Sequence, residues 1–553
     1  MSASDKKKLR KEEKAAVLSE KQLKEKAEAK KLKATSITFV VIMIAVVLVA
    51  ASVMLFNIVN SSGIIDRNTI AAATGDHEIN SVQLNYYYTD AIQNTVSSWQ
   101  SAYGDNLALY TSMMGLDLTK PLDEQVYDDE TGDTWADYFM DMALEQVRSE
   151  YRLYDLAKAD GYTLSADEQA QFKYNMQNID FYAQIYGYSK TDDYLKSYYG
   201  FGSDMESYTE YRSIATLASS YYSKYKNELA YTDEDIRNYE KDKEVEYSHF
   251  DYATYYVSVS SYQEGGSKDE HGHTVYTEEE KAAAIAKAKA IADELATNDS
   301  VVTLDKAIKA LEINAENEGA ATSKYADIRY AQITEVFRDW LTEEGRVENE
   351  IKVFENKVAS SDAHAEEGEE TVGGYYVVVY QDRDDNMRHL ANVRHLLVQF
   401  TGGTKDEDGH TVYSDEEKAA AKKEAESYLK EWADGAATEE SFIELVKEHS
   451  DDGSASTGGL YEDIHKESDY VPNFLNWSID EARKAGDTEV IETEYGYHVM
   501  FYVGDDDLTY RDYLIQEDMR DADTDEWYEG LLKDITITKL NTSRLHTDLV
   551  LGN

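Results

Sequence analysis

Residues 266–284 read GSKDEHGHTVYTEEEKAAA and residues 403–421 read GTKDEDGHTVYSDEEKAAA, identical at 15 of 19 positions and offset by 137 residues. A repeat of this kind requires the chain to build one structural unit twice. Before each copy stands a run with strand character, ThrTyrTyrValSerVal (254–259) and ValArgHisLeuLeuValGlnPhe (393–400). Within each copy, His271-Gly272 or Asp408-Gly409 supplies a turn. A helix then opens at Thr277 with Glu280, or at Ser414 with Glu417. In this capping box, hydroxyl and carboxylate each accept an N–H that the helix start leaves unpaired. Further on, both units hold a Phe-x-x-Trp, Phe337/Trp340 and Phe474/Trp477, and both close on a β-branched, aromatic strand. In the second unit Gly435 ends the first helix, and Thr438 starts another with Phe442, Leu445 and Val446 on one face. Strand, three helices, strand is an α+β unit.

The copies differ in their histidines. The second has His395 in its first strand and His498 in GlyTyrHisValMet (496–500). The first has ThrTyrTyrValSer (254–258) and GlyTyrTyrValVal (374–378) there, with Tyr255, Tyr256 and Tyr376 in place of the histidines. One working site and one retained scaffold is the expectation. The repeated loop carries Asp406, Asp408 and His410, with Asp269, His271 and His273 in the other copy. It reads as a solvated hairpin or as a cation loop. A calcium loop brings more oxygen ligands and a distal Glu, so no metal is expected.

The chain has 553 residues, which suggests roughly three to four domains. It has no cysteine, which excludes disulfides, thiolate metal sites and cysteine nucleophiles. Residues 1–35 carry 12 Lys+Arg against 6 Asp+Glu, whereas the whole chain is at −54. So acidic a bulk repels phosphate backbones and argues against nucleic acid as a partner. From Ile37 to Val59 runs an uncharged apolar segment of 23 residues. At about 1.5 Å per residue it spans the ~30 Å core of a bilayer. The basic side is expected in the cytoplasm and the acidic bulk outside. An uncleaved anchor is the expected reading and a cleaved signal peptide its rival, with ValAlaAla (49–51) offering small residues.

Residues 79–245 are dominated by helical signals, among them apolar spacing in 137–147, Gly161 as a stop and Ser165 with Glu168 as a capping box. Thr232 followed by Asp233, Glu234 and Asp235 opens another helix with acids at its positive end. Tyrosines crowd this region, including Tyr86, Tyr87, Tyr88, Tyr198, Tyr199, Tyr221 and Tyr222. They are either amphipathic core or a surface that holds unfolded polypeptide.

Residues 393–503 resemble a parvulin-type peptidyl-prolyl isomerase domain. The resemblance rests on ValArgHisLeuLeuVal, on HisSerAspAspGlySerAlaSerThrGlyGlyLeu (449–460), on Tyr470 and Phe474 four apart, on GlyAsp (486–487) and on ThrGluTyrGlyTyrHis (493–498). Two departures stand out. Leu460 directly follows the Gly pair, where the family commonly has an acid, and the stretch from Phe474 to Gly486 is longer than usual. The resemblance implies that His395 and His498 stand on neighbouring strands and hydrogen-bond to each other. It also implies that Asp452 lies near the rotating carbonyl, that Thr493 joins the polar network, and that Leu460, Tyr470 and Phe474 form the proline slot. No cofactor is implied. The acidic AspGluAspGly (406–409) speaks against phosphorylated substrates.

The anchored layout is more loosely similar to PrsA-like foldases and SurA-like chaperones. The expected organisation has a basic cytoplasmic tail (1–36), a single transmembrane helix (37–59), a linker (60–78) and a helical chaperone-like domain (79–245). A degenerate parvulin-like domain (246–385), a parvulin-type isomerase domain (386–505) and a C-terminal helical segment (506–553) follow. The expected function is an extracytoplasmic, membrane-anchored isomerase acting on X–Pro segments of unfolded or newly exported polypeptides. The rival is a holdase whose isomerase domain is inert.

Overall fold

The structure, a computed structural model, describes residues 2–241, 243–268, 274–359, 370–406 and 409–547. It is a mixed helix-plus-sheet protein in two compact units, Met1–Leu229 with Asp523–Asn553, and Ala230–Ala522.

In the first unit the basic tail and the apolar run lie in one helix, Ala3–Ser61. Lys, Glu, Ala and Leu in the tail are good helix formers, so nothing interrupts the helix. Side chains such as Phe39, Val47 and Leu55 are exposed along it. Among the described residues it is the one helix long and apolar enough to cross a membrane.

A small antiparallel sheet follows, ordered Ile537–Lys539, then β1 (Ile70–Thr74), then β2 (His77–Asn80). The C-terminal segment, expected as helical patches, is thus one helix (Tyr510–Leu532) and a strand that pairs with β1. Helices Ser81–Tyr103, Trp135–Ala159 and Met205–Glu228 each start at a capping box, on Asn80, Thr134 and Asp204. They bury Tyr86, Tyr87, Tyr88 and Phe139 completely. Tyr199 and Tyr211 donate their hydroxyls to the two oxygens of Asp90, at 3.0 and 2.8 Å. Of the tyrosines singled out in the sequence, Tyr86, Tyr87, Tyr88 and Tyr199 are buried. These are core, while Tyr174, Phe181, Tyr182, Ile185 and Tyr186 are exposed on and just after helix Ala166–Ile185.

The second unit holds two four-stranded antiparallel sheets. The first is made of β3 (His249–Ser258), β4 (Ser323–Arg329), β5 (Ile351–Ala359) and β6 (Glu370–Asp384), in the order β4-β3-β6-β5. The second is made of β7 (His389–Gln399), β8 (Leu460–Ile464), β9 (Thr488–Glu492) and β10 (Gly496–Thr509), in the order β8-β7-β10-β9. The two orders are the same.

The repeated segment has one job in both. Glu280 and Glu417 each cap their helix and also accept a loop N–H, from Gly266 at 3.1 Å and from Gly403 at 2.9 Å. The following alanines, Ala284, Ala288 and Ala292 in one and Ala421 and Ala425 in the other, are small enough to lie flat on the sheet. Thr404–Lys405 and Thr411–Val412 pair as a short hairpin, in which Asp406 accepts the His410 N–H at 2.8 Å. Asp269, His271, Gly272, His273 and Asp408 lie outside the described residues.

Candidate active site

β7 and β10 pair with His395 opposite Met500 and His498 opposite Leu397. Side chains alternate between faces along a strand, and directly opposed residues share a face. His395 and His498 therefore lie diagonally on one face, with Ala391, Val393, Met500 and Tyr502. Phe474 and Trp477 of helix Pro472–Ser478 cover that face. The other face carries Leu396, Val398, Tyr497, Val499 and Phe501 against Ala421, Ala425, Phe442 and Val446. The polar site is thus set into one side of a sheet whose other side packs a hydrophobic core.

His395 and His498 are 2% and 5% exposed. Their Nδ1 atoms are 2.9 Å apart. His498 Nε2 lies 2.8 Å from Thr493 Oγ1, which accepts the Tyr495 N–H at 3.2 Å. His395 Nε2 stands 3.4 Å from Asp452 Oδ1, an ion-pair separation without hydrogen-bond geometry. Asp452 is fixed by the turn it begins, its Oδ1 accepting the Ser454 N–H at 2.8 Å, the Ser454 hydroxyl and the Tyr461 hydroxyl at 3.3 Å.

The nearby His395 imidazole, helped by the Ser454 donors, holds the Asp452 carboxyl well below the usual range, so it is a carboxylate and only accepts. Facing it is His395 Nε2, while His395 Nδ1 meets His498 Nδ1. His498 spans His395 and the Thr493 hydroxyl through its two ring nitrogens. Burial, with His395 beside it, pushes the His498 imidazole down to about 3, so it is neutral at pH 7. The result is a line of polar contacts from Tyr495 through Thr493, His498 and His395 to Asp452.

An aromatic wall stands beside this chain. His395 packs edge-on to Tyr461 and Phe474 at ring-centroid distances of 5.0 and 5.2 Å. Tyr470 lies 5.4 Å from Phe474 and 5.5 Å from Tyr461. The structure thus brings together His395, Asp452, Thr493, His498, Tyr470 and Phe474. It does not add Leu460, which opposes Arg394 in the register and so falls on the other face. Tyr461, the next residue, takes the place expected of it. Its signal in the sequence was an aromatic two residues after the Gly pair, but its facing depends on the register of β8. Gly459 sets that register. It has φ +67°, and a Cβ there would lie 2.2 Å from the His395 carbonyl oxygen.

In the first sheet the register puts Thr254 opposite Val378, as His395 is opposite Met500, and Tyr376 in the place of His498. Tyr255 points to the opposite face, where it meets Asn314 at 3.0 Å, and Tyr256 corresponds to Leu397. The expected counterpart of His395 is corrected from Tyr255 or Tyr256 to Thr254.

No curated protein matches the chain. Among solved structures it is similar to the peptidylprolyl isomerase PrsA from Bacillus anthracis, with 22% identity over 27% of this chain and 59% of that one and a TM-score of 0.17. It is similar to PrsA from Bacillus subtilis, with 23% identity over 26% and 49% and a TM-score of 0.17. It is also similar to the peptidyl-prolyl isomerase ESS1 from Candida albicans, with 24% identity over 21% and 63% and a TM-score of 0.16. The chain spans less than two thirds of the length of each. Residues 395–503 match the family description "Rotamase: PPIC-type PPIASE domain", a stretch that begins at His395 and encloses Asp452, Tyr470, Phe474 and His498. Those residues form a parvulin, a peptidyl-prolyl cis-trans isomerase domain of the PPIC type.

Proposed function

We propose that this chain is a membrane-anchored foldase that rotates X–Pro bonds of exported polypeptides outside the cytoplasm. The observation that carries the reading is the line of contacts from buried Thr493, His498 and His395 to half-buried Asp452, beside the aromatic wall of Tyr461, Tyr470 and Phe474. Rotation about an amide breaks its resonance, against a barrier of about 18–20 kcal/mol. The twisted amide is less charge-separated than the planar one, so an apolar slot favours it. A fixed carboxylate beside the carbonyl disfavours further negative charge on its oxygen, as the planar form requires. Tyr470 and Phe474 hold the proline ring, Asp452 faces the carbonyl, and the two histidines with Thr493 hold Asp452 and each other in place. No covalent step is needed.

The remaining assignments follow the same reading. Residues 37–59 anchor the chain, supported by their exposed apolar side chains and the basic tail before them. Residues 79–245 hold non-native segments, supported by the exposed Tyr174, Phe181, Tyr182 and Tyr186. Residues 246–385 are a sister of the isomerase domain without its histidine pair, supported by the shared strand order. The holdase reading is favoured by Tyr461, whose hydroxyl already engages Asp452.

A protease-coupled isomerisation assay on the full chain in detergent micelles separates the two. His395→Ala, Asp452→Asn and His498→Ala are each expected to lower kcat/KM at least tenfold, roughly the effect of losing one preorganised polar group. Unchanged rates in all three, with the fold intact, refute the catalytic assignment. Suppressed client aggregation without any isomerase activity establishes the holdase.

A further inference from the structure

The first sheet grips the second domain at one loop. His249, which opens β3, is 2% exposed, with Nδ1 2.9 Å from Asp327 Oδ1 and Nε2 3.7 Å from Glu467 Oε1. Arg329, at the end of β4, forks onto Glu467, with Nε 3.3 Å from Oε1 and Nη2 on Oε2. Lys466 reaches Asp327 and also Asp384 of β6, the latter at 2.8 Å. His249, Asp327 and Glu467 stand close enough together to suit a cation. Arg329 and Lys466 already neutralise both carboxylates, however, so the cluster is a charge clasp.

The loop it holds, residues 465–469, leads directly to the proline slot. It is wound on itself. The His465 N–H donates to Ser468 Oγ at 3.0 Å, the Ser468 N–H to the His465 carbonyl at 2.9 Å and the Tyr470 N–H to the Ser468 carbonyl at 2.9 Å. The Glu467 N–H also points to His465 Nδ1 at 3.3 Å. A loop tied in this way moves as one piece, so whatever fixes Lys466 and Glu467 also fixes Tyr470.

We propose that the first sheet domain positions the proline slot of the second, with Arg329, Asp327 and His249 as positioning residues acting through Lys466 and Glu467 on Tyr470. The proposal rests on the isomerase reading of the His395–His498 site. It gives the copy without the histidine pair a task that its own surface still performs.

The test uses the full chain in micelles. Because the protein has no cysteine, Asp469→Cys offers a single attachment point for a spin label. Arg329→Glu and Glu467→Arg are each expected to sharpen the label's spectrum and to raise KM several-fold while kcat stays within about twofold, the pattern of lost binding geometry rather than lost chemistry. Joined in one chain, the two exchanged charges are expected to restore both readouts. An unchanged spectrum in the single variants, or a double variant no better than either single one, overturns the proposal. A normal label response in a chain without isomerase activity refutes the isomerase reading instead and leaves the clasp standing.

Discussion

His498 is neutral because it is buried, and neutrality has a consequence for stability. Its folded value lies at about 3, far below the ordinary histidine value near 6.5. Between those two values the unfolded chain binds a proton that the folded chain refuses, so stability is full above about 6.5 and falls as pH falls. His498→Gln removes this titration. The stability gap between wild type and His498→Gln is therefore expected to narrow by about 2 kcal/mol between pH 7 and pH 5, read from urea titrations at each pH. A gap that stays constant shows that His498 is not the linked group. Gly459 belongs to the same scale. A Cβ at Gly459 would lie 2.2 Å from the His395 carbonyl oxygen, so only glycine allows this close passage, and the passage turns Tyr461 toward the site.

At the scale of elements, the isomerase domain depends on one sheet serving two unlike faces. Alternation along β7 and β10 sends Leu396, Val398, Val499 and Phe501 to the helices and His395 and His498 to the slot. Phe442 is the keystone of the apolar side, with no exposure, stacked on Phe501 at 5.2 Å and edge-on to Trp432 at 6.1 Å. Phe442→Ala is expected to cost about 3–5 kcal/mol in urea unfolding, the usual penalty for a large cavity in a dry core. A loss below about 1 kcal/mol indicates that the helix is not held where the structure has it. The capping glutamates explain why the two repeats have stayed alike. Each fixes a helix start and a hairpin start together, so a change at Glu280 or Glu417 loosens two elements at once.

Over the whole molecule, an apolar helix and an acidic bulk pull toward different solvents. Phe39, Val47 and Leu55 are exposed along one apolar helix. The rest of the chain carries the charge that keeps proteins apart in water. Removing residues 1–60 is expected to convert a chain that sediments with membranes and needs detergent into one that stays in the supernatant. A truncated chain that still pellets with vesicles locates the membrane contact elsewhere.

Much of this was legible from local pattern. Capping boxes, strand runs, the long apolar helix and the two histidine strands all follow from interactions within a few residues, so a sequence displays them directly. The facing of Leu460 and Tyr461 was not legible, because it turns on how β8 is registered against β7 after the close passage of Gly459. Nor was Thr254 as the counterpart of His395, since a one-residue slip in a strand exchanges its faces. The pairing of Ile537–Lys539 with β1 and the clasp of Arg329 on Glu467 join residues hundreds or more than a hundred positions apart. The sequence alone determined which elements form and which residue types can do chemistry. Only the tertiary structure decided which of them meet, because long-range register is set by packing summed over whole faces and not by any residue's neighbours.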